Sequence, residues 1–141
     1  MKPVSILVLD GQGGRIGKQL IEGIRARLPE ADIAAVGTNS VATSTMMKAG
    51  ASRAGTGENA VIVNCRTADL IVGPLGIVIA DSMMGEISPA MAVAVGQSPA
   101  TRLLIPMNLC KNTVVGAASQ SVKDLVALAV DEVEAFCRAE R

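Results

Sequence analysis

Four glycines fall within seven residues near the start of the chain, Gly11-Gln12-Gly13-Gly14-Arg15-Ile16-Gly17. The residues before them, 4–10, are apolar at nearly every place, which suits a strand buried on both faces of a parallel sheet. The residues after them carry Ile16, Leu20, Ile24 and Leu28 at the spacing of one helix face, and Pro29 cannot continue that helix. A buried strand, a glycine-rich turn and an amphipathic helix, in that order, leave few folds open.

The remainder of the chain is read against that opening unit. Residues 33–37 read as a second buried strand, and Ser40 as the cap of a short helix ending at Ala49 before Gly50. A connection through Gly55-Thr56-Gly57 leads to a third strand at 60–64. Residues 67–72 read as a short helix, Gly73-Pro74 as a turn and 77–81 as a fourth strand. Ser88-Pro89 is an N-cap and first-turn pair for a helix to Val95, with Gly96 behind it. A fifth strand at 102–106 and a sixth at 113–117 precede the last helix. That helix opens on Ser121 with Asp124 and turns Val122, Val126, Ala129, Val133 and Phe136 to one side. Alternating strands and helices predict one α/β domain over residues 1–141. It is a Rossmann-like, doubly wound parallel sheet of five or six strands with helices on both faces.

Composition narrows the function. Half of the 141 residues are hydrophobic, yet there is one Phe and no Trp or Tyr, so the core is aliphatic. Net charge is zero and there is no basic run. With no aromatic platform for bases, nucleic acid is a poor partner. The greasy stretch 70–80 is too short to span a bilayer and Gly73-Pro74 breaks it, so no membrane partner is expected. The cysteines Cys65, Cys110 and Cys137 lie far apart with no CxxC pair. They predict neither a zinc site nor disulfides, and fit a cytoplasmic protein with reduced thiols. The chain has no histidine, which excludes Ser-His-Asp and Cys-His catalysis and removes the commonest metal ligand. No metal site is predicted. The small helices at 41–49 and 89–95 are apolar on most sides. They predict a homodimer or larger assembly unless they lie under the C-terminal helix.

The glycine turn is the candidate ligand site. Gly11, Gly14 and Gly17 fit G-x-x-G-x-x-G, whereas Gly11 and Gly13 begin G-x-G-x-x-G with Ile16 in its last place. In either register Gly11 permits the tight turn, and Gly13 or Gly14 lets backbone approach a pyrophosphate. Gly17 lets the helix pack closely. Amides of Gln12 through Ile16 then face an anion at the helix start, with Arg15 and Lys18 adding charge. That chemistry requires amides between Leu9 and Lys18 that no protein atom has taken. A tight turn that merely packs is the competing reading.

An acid about 20 residues beyond the glycines ordinarily takes the ribose hydroxyls of NAD. Here the second strand ends Gly37-Thr38-Asn39-Ser40, with no carboxylate. Neutral donors there suit a 2′-phosphate, which tilts the expected cofactor toward NADP over NAD. No arginine follows directly, and another nucleotide stays open. Ligands in such sheets sit beyond the carboxyl ends of the strands. Thr38, Asn39 and Ser40, Asp81 with Ser82, and Asn108 are therefore further binding candidates. Asp81 is the candidate for a ribose acceptor, a magnesium ligand or a catalytic acid or base, and equally for a turn cap. Glu86 is a second acidic candidate. Cys65 beside Arg66 and Cys110 beside Lys111 are candidate activated thiols or inert buried ones.

The turn at 11–17 resembles the G-x-x-G-R-M-G turn of dihydrodipicolinate reductases and similar NAD(P)-binding domains. That resemblance covers the first strand and helix only, and the catalytic histidine and substrate domain of those enzymes have no counterpart here. Over nearly the whole chain the sequence is similar to a bacterial family known as domain of unknown function 3842. The segments Val8-Leu9-Asp10-Gly11-Gln12-Gly13-Gly14, Val36-Gly37-Thr38-Asn39 and Ile79-Ala80-Asp81-Ser82-Met83-Met84-Gly85-Glu86 carry it. It implies a complete one-domain protein and no particular activity. Three functions follow: a nucleotide-binding protein, as an enzyme an NAD(P)-dependent oxidoreductase; a non-catalytic sensor or oligomeric module; or a structural protein with a degenerate site.

Overall fold

The computed structural model describes residues 2–107 and 111–140. Five strands form one parallel sheet: β1 (Ser5–Asp10), β2 (Asp32–Gly37), β3 (Arg53–Thr56), β4 (Leu70–Pro74) and β5 (Thr101–Ile105). Their order is β3-β2-β1-β4-β5, so the chain steps outward from β1, then returns to β1's other side. This is the doubly wound arrangement, with its point of reversal at β1 and β4. Five helices connect or follow the strands: α1 (Arg15–Arg27), α2 (Ser40–Lys48), α3 (Glu58–Cys65), α4 (Pro89–Gln97) and α5 (Val122–Ala139).

Successive side chains of β1 explain the two layers. Ile6 and Val8 join a core with Leu20, Ile21 and Ile24 of α1, Met46 of α2 and Val130 and Val133 of α5. Leu7 and Leu9 point the other way, to Val61 and Cys65 of α3 and Met91 and Val95 of α4. Each fully buried aliphatic side chain here contributes roughly 1.5–3 kcal/mol relative to exposure. Helices thus cover both faces of the sheet. Because α4 and α5 take opposite faces, α4 does not lie under the C-terminal helix. Val41 and Met47 of α2 and Val93 of α4 stay exposed.

Several predicted elements are corrected. The strand expected at 60–64 is helix α3, and the strand is β3, inside the presumed connection. Val61 and Cys65, one helical turn apart, are its buried residues. The short helix expected at 67–72 is β4, buried at all five places, and Gly73-Pro74 belongs to the strand. The strand expected at 77–81 is a single 3-10 turn, Leu75–Val78, followed by irregular chain. No sixth strand forms at 113–117, which is exposed and closed by a turn from the Ala117 amide to the Val114 carbonyl. Asn39, not Ser40, caps α2, its side-chain oxygen accepting the Ala42 amide at 2.9 Å. Ser88 and Ser121 cap α4 and α5 as read from the sequence, and α4 runs through Gly96 to Gln97.

Candidate functional site

At the C-terminal end of β1 the chain makes a short turn, with the Gly14 amide donating to the Gly11 carbonyl at 2.9 Å. Gly14 itself is left-handed, φ 74°, and a Cβ there would stand 2.8 Å from the Ala42 backbone. Glycine is therefore required for the fold at that place. A Cβ on Gly17 would run into the Met46 side chain, so Gly17 lets α1 close on α2. Around Gly13, by contrast, the nearest atom to a built Cβ is Arg15 Cγ at 3.8 Å. Gly13, not Gly14, is the open position.

The buried carboxylate of Asp10 fills much of the space beneath the turn. It accepts the Gly11 amide through Oδ1 and the Gly17 amide through Oδ2, both at 2.8 Å. The Ile16 amide also bears on it. Asp10 thereby does for α1 what a side-chain N-cap does elsewhere, since α1 has no side-chain cap of its own. Burial raises the Asp10 pKa above its ordinary value; the three amides oppose that, and the charge of Glu86 adds to it.

A second carboxylate reaches the turn from far along the chain. Glu86 Oε1 accepts the Gln12 amide at 2.8 Å, the Thr38 hydroxyl at 2.6 Å and the Asn39 side-chain amide at 2.9 Å. The Asn39 side chain also donates to the Gln12 carbonyl at 2.9 Å. Desolvation pushes the Glu86 pKa up, but these three donors outweigh it and hold the pKa below its ordinary value. Residues 79–88 form the strap that carries Glu86. Its left-handed positions are Asp81, Met83, Met84 and Gly85, and the Asp81 amide donates to the Ile87 carbonyl at 2.7 Å. The strap lies on Gly11: a Cβ there would meet Met83 Sδ and Thr38 Oγ1, each at 2.7 Å. Gly11 is thus kept bare by the strap.

The cradle expected between Leu9 and Lys18 is therefore largely occupied by the protein itself. Gly11, Gln12, Gly14, Ile16 and Gly17 spend their amides on protein acceptors, and the Lys18 amide donates to the Gly14 carbonyl. Among the described residues, no acceptor takes the amide of Gly13 or Arg15. Both residues line a cleft of about 350 Å³ whose walls are residues 10–16, Gln19, Met107 and Val122. Neither Arg15 nor Lys18 has an ion-pair partner among the described residues.

The other sequence candidates divide. Thr38 and Asn39 stand at the turn through Glu86 and Gln12, while Ser40 is exposed at the start of α2. Ser82 is buried and donates to the Gly76 carbonyl, so its hydroxyl braces the strap. The Asp81 carboxylate is exposed and lies outside the cleft. Asn108 and Cys110 lie outside the described residues. Burial pushes the Cys65 thiol up to about 11, so Arg66 does not activate it. Glu86, a second-rank acidic candidate in the sequence, is the carboxylate that joins the turn to the end of β2. The one signal in the sequence was the absence of an acid after β2, where Thr38 and Asn39 now donate to Glu86.

The chain belongs to the family described as domain of unknown function 3842, whose sequence model matches residues 5–138. No curated protein matches it. Among solved structures, a dodecameric FMN-dependent UbiX-like decarboxylase from Escherichia coli O157:H7 is similar at 16% identity. The superposition covers 93% of this chain and 94% of that chain, with a TM-score of 0.43. The strand order and crossovers of this chain themselves establish the Rossmann-like fold of this family member.

Proposed function

We propose that this member of the family binds a nucleotide by seating a phosphate on the free amides of Gly13 and Arg15, at the start of α1. The observation that carries the reading is that these two amides are unpaired and line one cleft, beside the point where the strand order reverses. A helix N-terminus favours an anion there, and the exposed Arg15 and Lys18 supply full positive charge. The open side of Gly13 gives a ligand access to the backbone. Asp10 narrows the reading: it has taken the deeper amides, so the cradle fits one phosphate edge-on and not a deeply sunk pyrophosphate. A dinucleotide of the NAD(P) type, held at the glycine turn and extending past Gln12 toward Thr38 and Asn39, is the specific ligand we infer. A larger cavity, about 670 Å³, opens at the N-terminal ends of the strands near Pro3, Pro99 and Phe136, away from every free amide of the turn.

A binding role without chemistry is the second reading. It is favoured by the Asp81 carboxylate, the catalytic candidate of the sequence, which is exposed and, unlike Glu86, is not hydrogen-bonded to the turn. Titration calorimetry of the full chain with inorganic phosphate, NAD, NADP, ATP and FMN tests binding. The expected result is saturable phosphate-competitive binding of at least one nucleotide, weakened about tenfold in Arg15→Ala, since charge-assisted contacts to phosphate are the strong ones. No binding of phosphate or any nucleotide would overturn the reading. If a dinucleotide binds, absence of any hydride-transfer signal across a panel of carbonyl compounds would favour the sensor.

A further inference from the structure

We infer that Glu86 is the specificity-determining residue of this site, selecting a ribose with free 2′- and 3′-hydroxyls and rejecting one that carries a 2′-phosphate. The inference rests on the nucleotide reading above and names what that site accepts.

In sheets of this topology the residue just past β2 meets the ribose, and a carboxylate there takes its hydroxyls. Thr38 and Asn39 hold those places in this chain and carry no acid. Both donate to Glu86, which comes from the connection between β4 and α4 and so brings a carboxylate to the end of β2. The same oxygen accepts the Gln12 amide, and Gln12 directly precedes Gly13, whose amide is free. The acid therefore stands beside the cleft and is bonded to the residue that precedes the proposed phosphate seat.

Its hydrogen bonding suits the role. All three donors converge on Oε1, and among the described residues Oε2 has no protein partner. Glu86 is partly exposed, so Oε2 can accept a hydroxyl. The three donors also fix the carboxylate in place, so little order is lost when a ligand arrives. A diol gains charge-assisted hydrogen bonds from it. A 2′-phosphate meets a like charge instead, and Arg53, the first arginine after β2, is engaged in an ion pair with Asp32. The neutral residues after β2 had pointed toward NADP; the acid they hold reverses that preference.

The test is calorimetry of the full chain with NAD, NADP and inorganic phosphate, on the wild type and on Glu86→Gln. Glutamine keeps an acceptor for the donors of Gln12, Thr38 and Asn39 and removes the charge. We expect the wild type to bind NAD at least about tenfold tighter than NADP, as like-charge juxtaposition implies. In Glu86→Gln that ratio should fall to about threefold or less. The wild-type ratio needs no variant to fold. Equal or tighter binding of NADP by the wild type overturns the inference, as does an undiminished ratio in a folded Glu86→Gln. Binding of phosphate with neither dinucleotide also overturns it while the phosphate seat stands. Loss of phosphate binding as well brings down the parent reading.

Discussion

Asp10 sets the charge beneath the glycine turn, and its protonation is tied to folding. Burial is the largest influence on it and raises its pKa above the ordinary 3.8, against the pull of the Gly17, Gly11 and Ile16 amides. A carboxyl with a raised folded-state pKa is held protonated more tightly by the folded chain than by the unfolded one. Its stabilising share is complete below the unfolded value near 3.8 and is lost as pH rises through the higher folded value. Asp10→Asn keeps the size and one acceptor oxygen but has no proton to lose. The stability advantage of the wild type over Asp10→Asn should therefore be largest in acid and shrink as pH climbs. Denaturant unfolding of both proteins from about pH 3 to pH 7 reads this directly, through the midpoints. A difference that grows with pH would mean that the amides outweigh burial. The titration bears on the ligand site too, because the charge of Asp10 lies just beneath the seat proposed for a phosphate.

At the scale of elements, α2 distinguishes a cap that was read from one that was found. Asn39 accepts the Ala42 amide, donates to the Gln12 carbonyl and holds Glu86. Asn39→Ala should cost about 0.5–2 kcal/mol, the range for a lost N-cap. Ser40→Ala, at the exposed first residue of the helix, should stay within about 0.5 kcal/mol. Thermal unfolding separates the two, and equal losses would return the cap to Ser40. The sequence misled here because Asn39 and Ser40 are both good capping residues one place apart. Elsewhere legibility followed burial. The first strand and helix were plain, since β1 is buried on both faces and α1 turns Leu20, Ile21 and Ile24 inward. Between 53 and 65 the signal inverted: β3 is an edge strand with mostly exposed side chains, while Ala60-Val61-Ile62-Val63 is a short apolar run that suits strand or helix alike. The apolar residues 77–80 read as a strand but begin a strap whose left-handed positions no pattern announced. The strap's contact with the turn joins Glu86 to Gln12 across 74 positions, and no local spacing could reveal that. The glycines were legible as a motif. Their roles were not, because Gly11 is kept bare by the strap and Gly14 by Ala42.

For the molecule as a whole, the sheet divides the exposed apolar surface between its two sides. Val41 and Met47 of α2 are 63% and 47% exposed on the α1 side, and Val93 of α4 is 52% exposed on the other. Large aliphatic side chains on a chain of zero net charge favour self-association, since no long-range repulsion opposes it. We therefore expect light scattering to give a molar mass of at least twice the chain's 14.4 kDa. The two sides make a sharper prediction than the mass alone. A contact through α2 cannot cover α4, because the sheet lies between them. If both are used, Val41→Asp and Val93→Asp should each reduce the assembly to a different smaller species, and together they should leave the single chain. If only α2 is used, Val93→Asp should change nothing. Both positions are exposed, so the charge should leave each chain's own stability within about 0.5 kcal/mol, and a loss of mass then reports on the contact and not on unfolding. A wild type that scatters as one chain would leave these side chains to solvent, and the cleft at the glycine turn would then have to act within a single subunit.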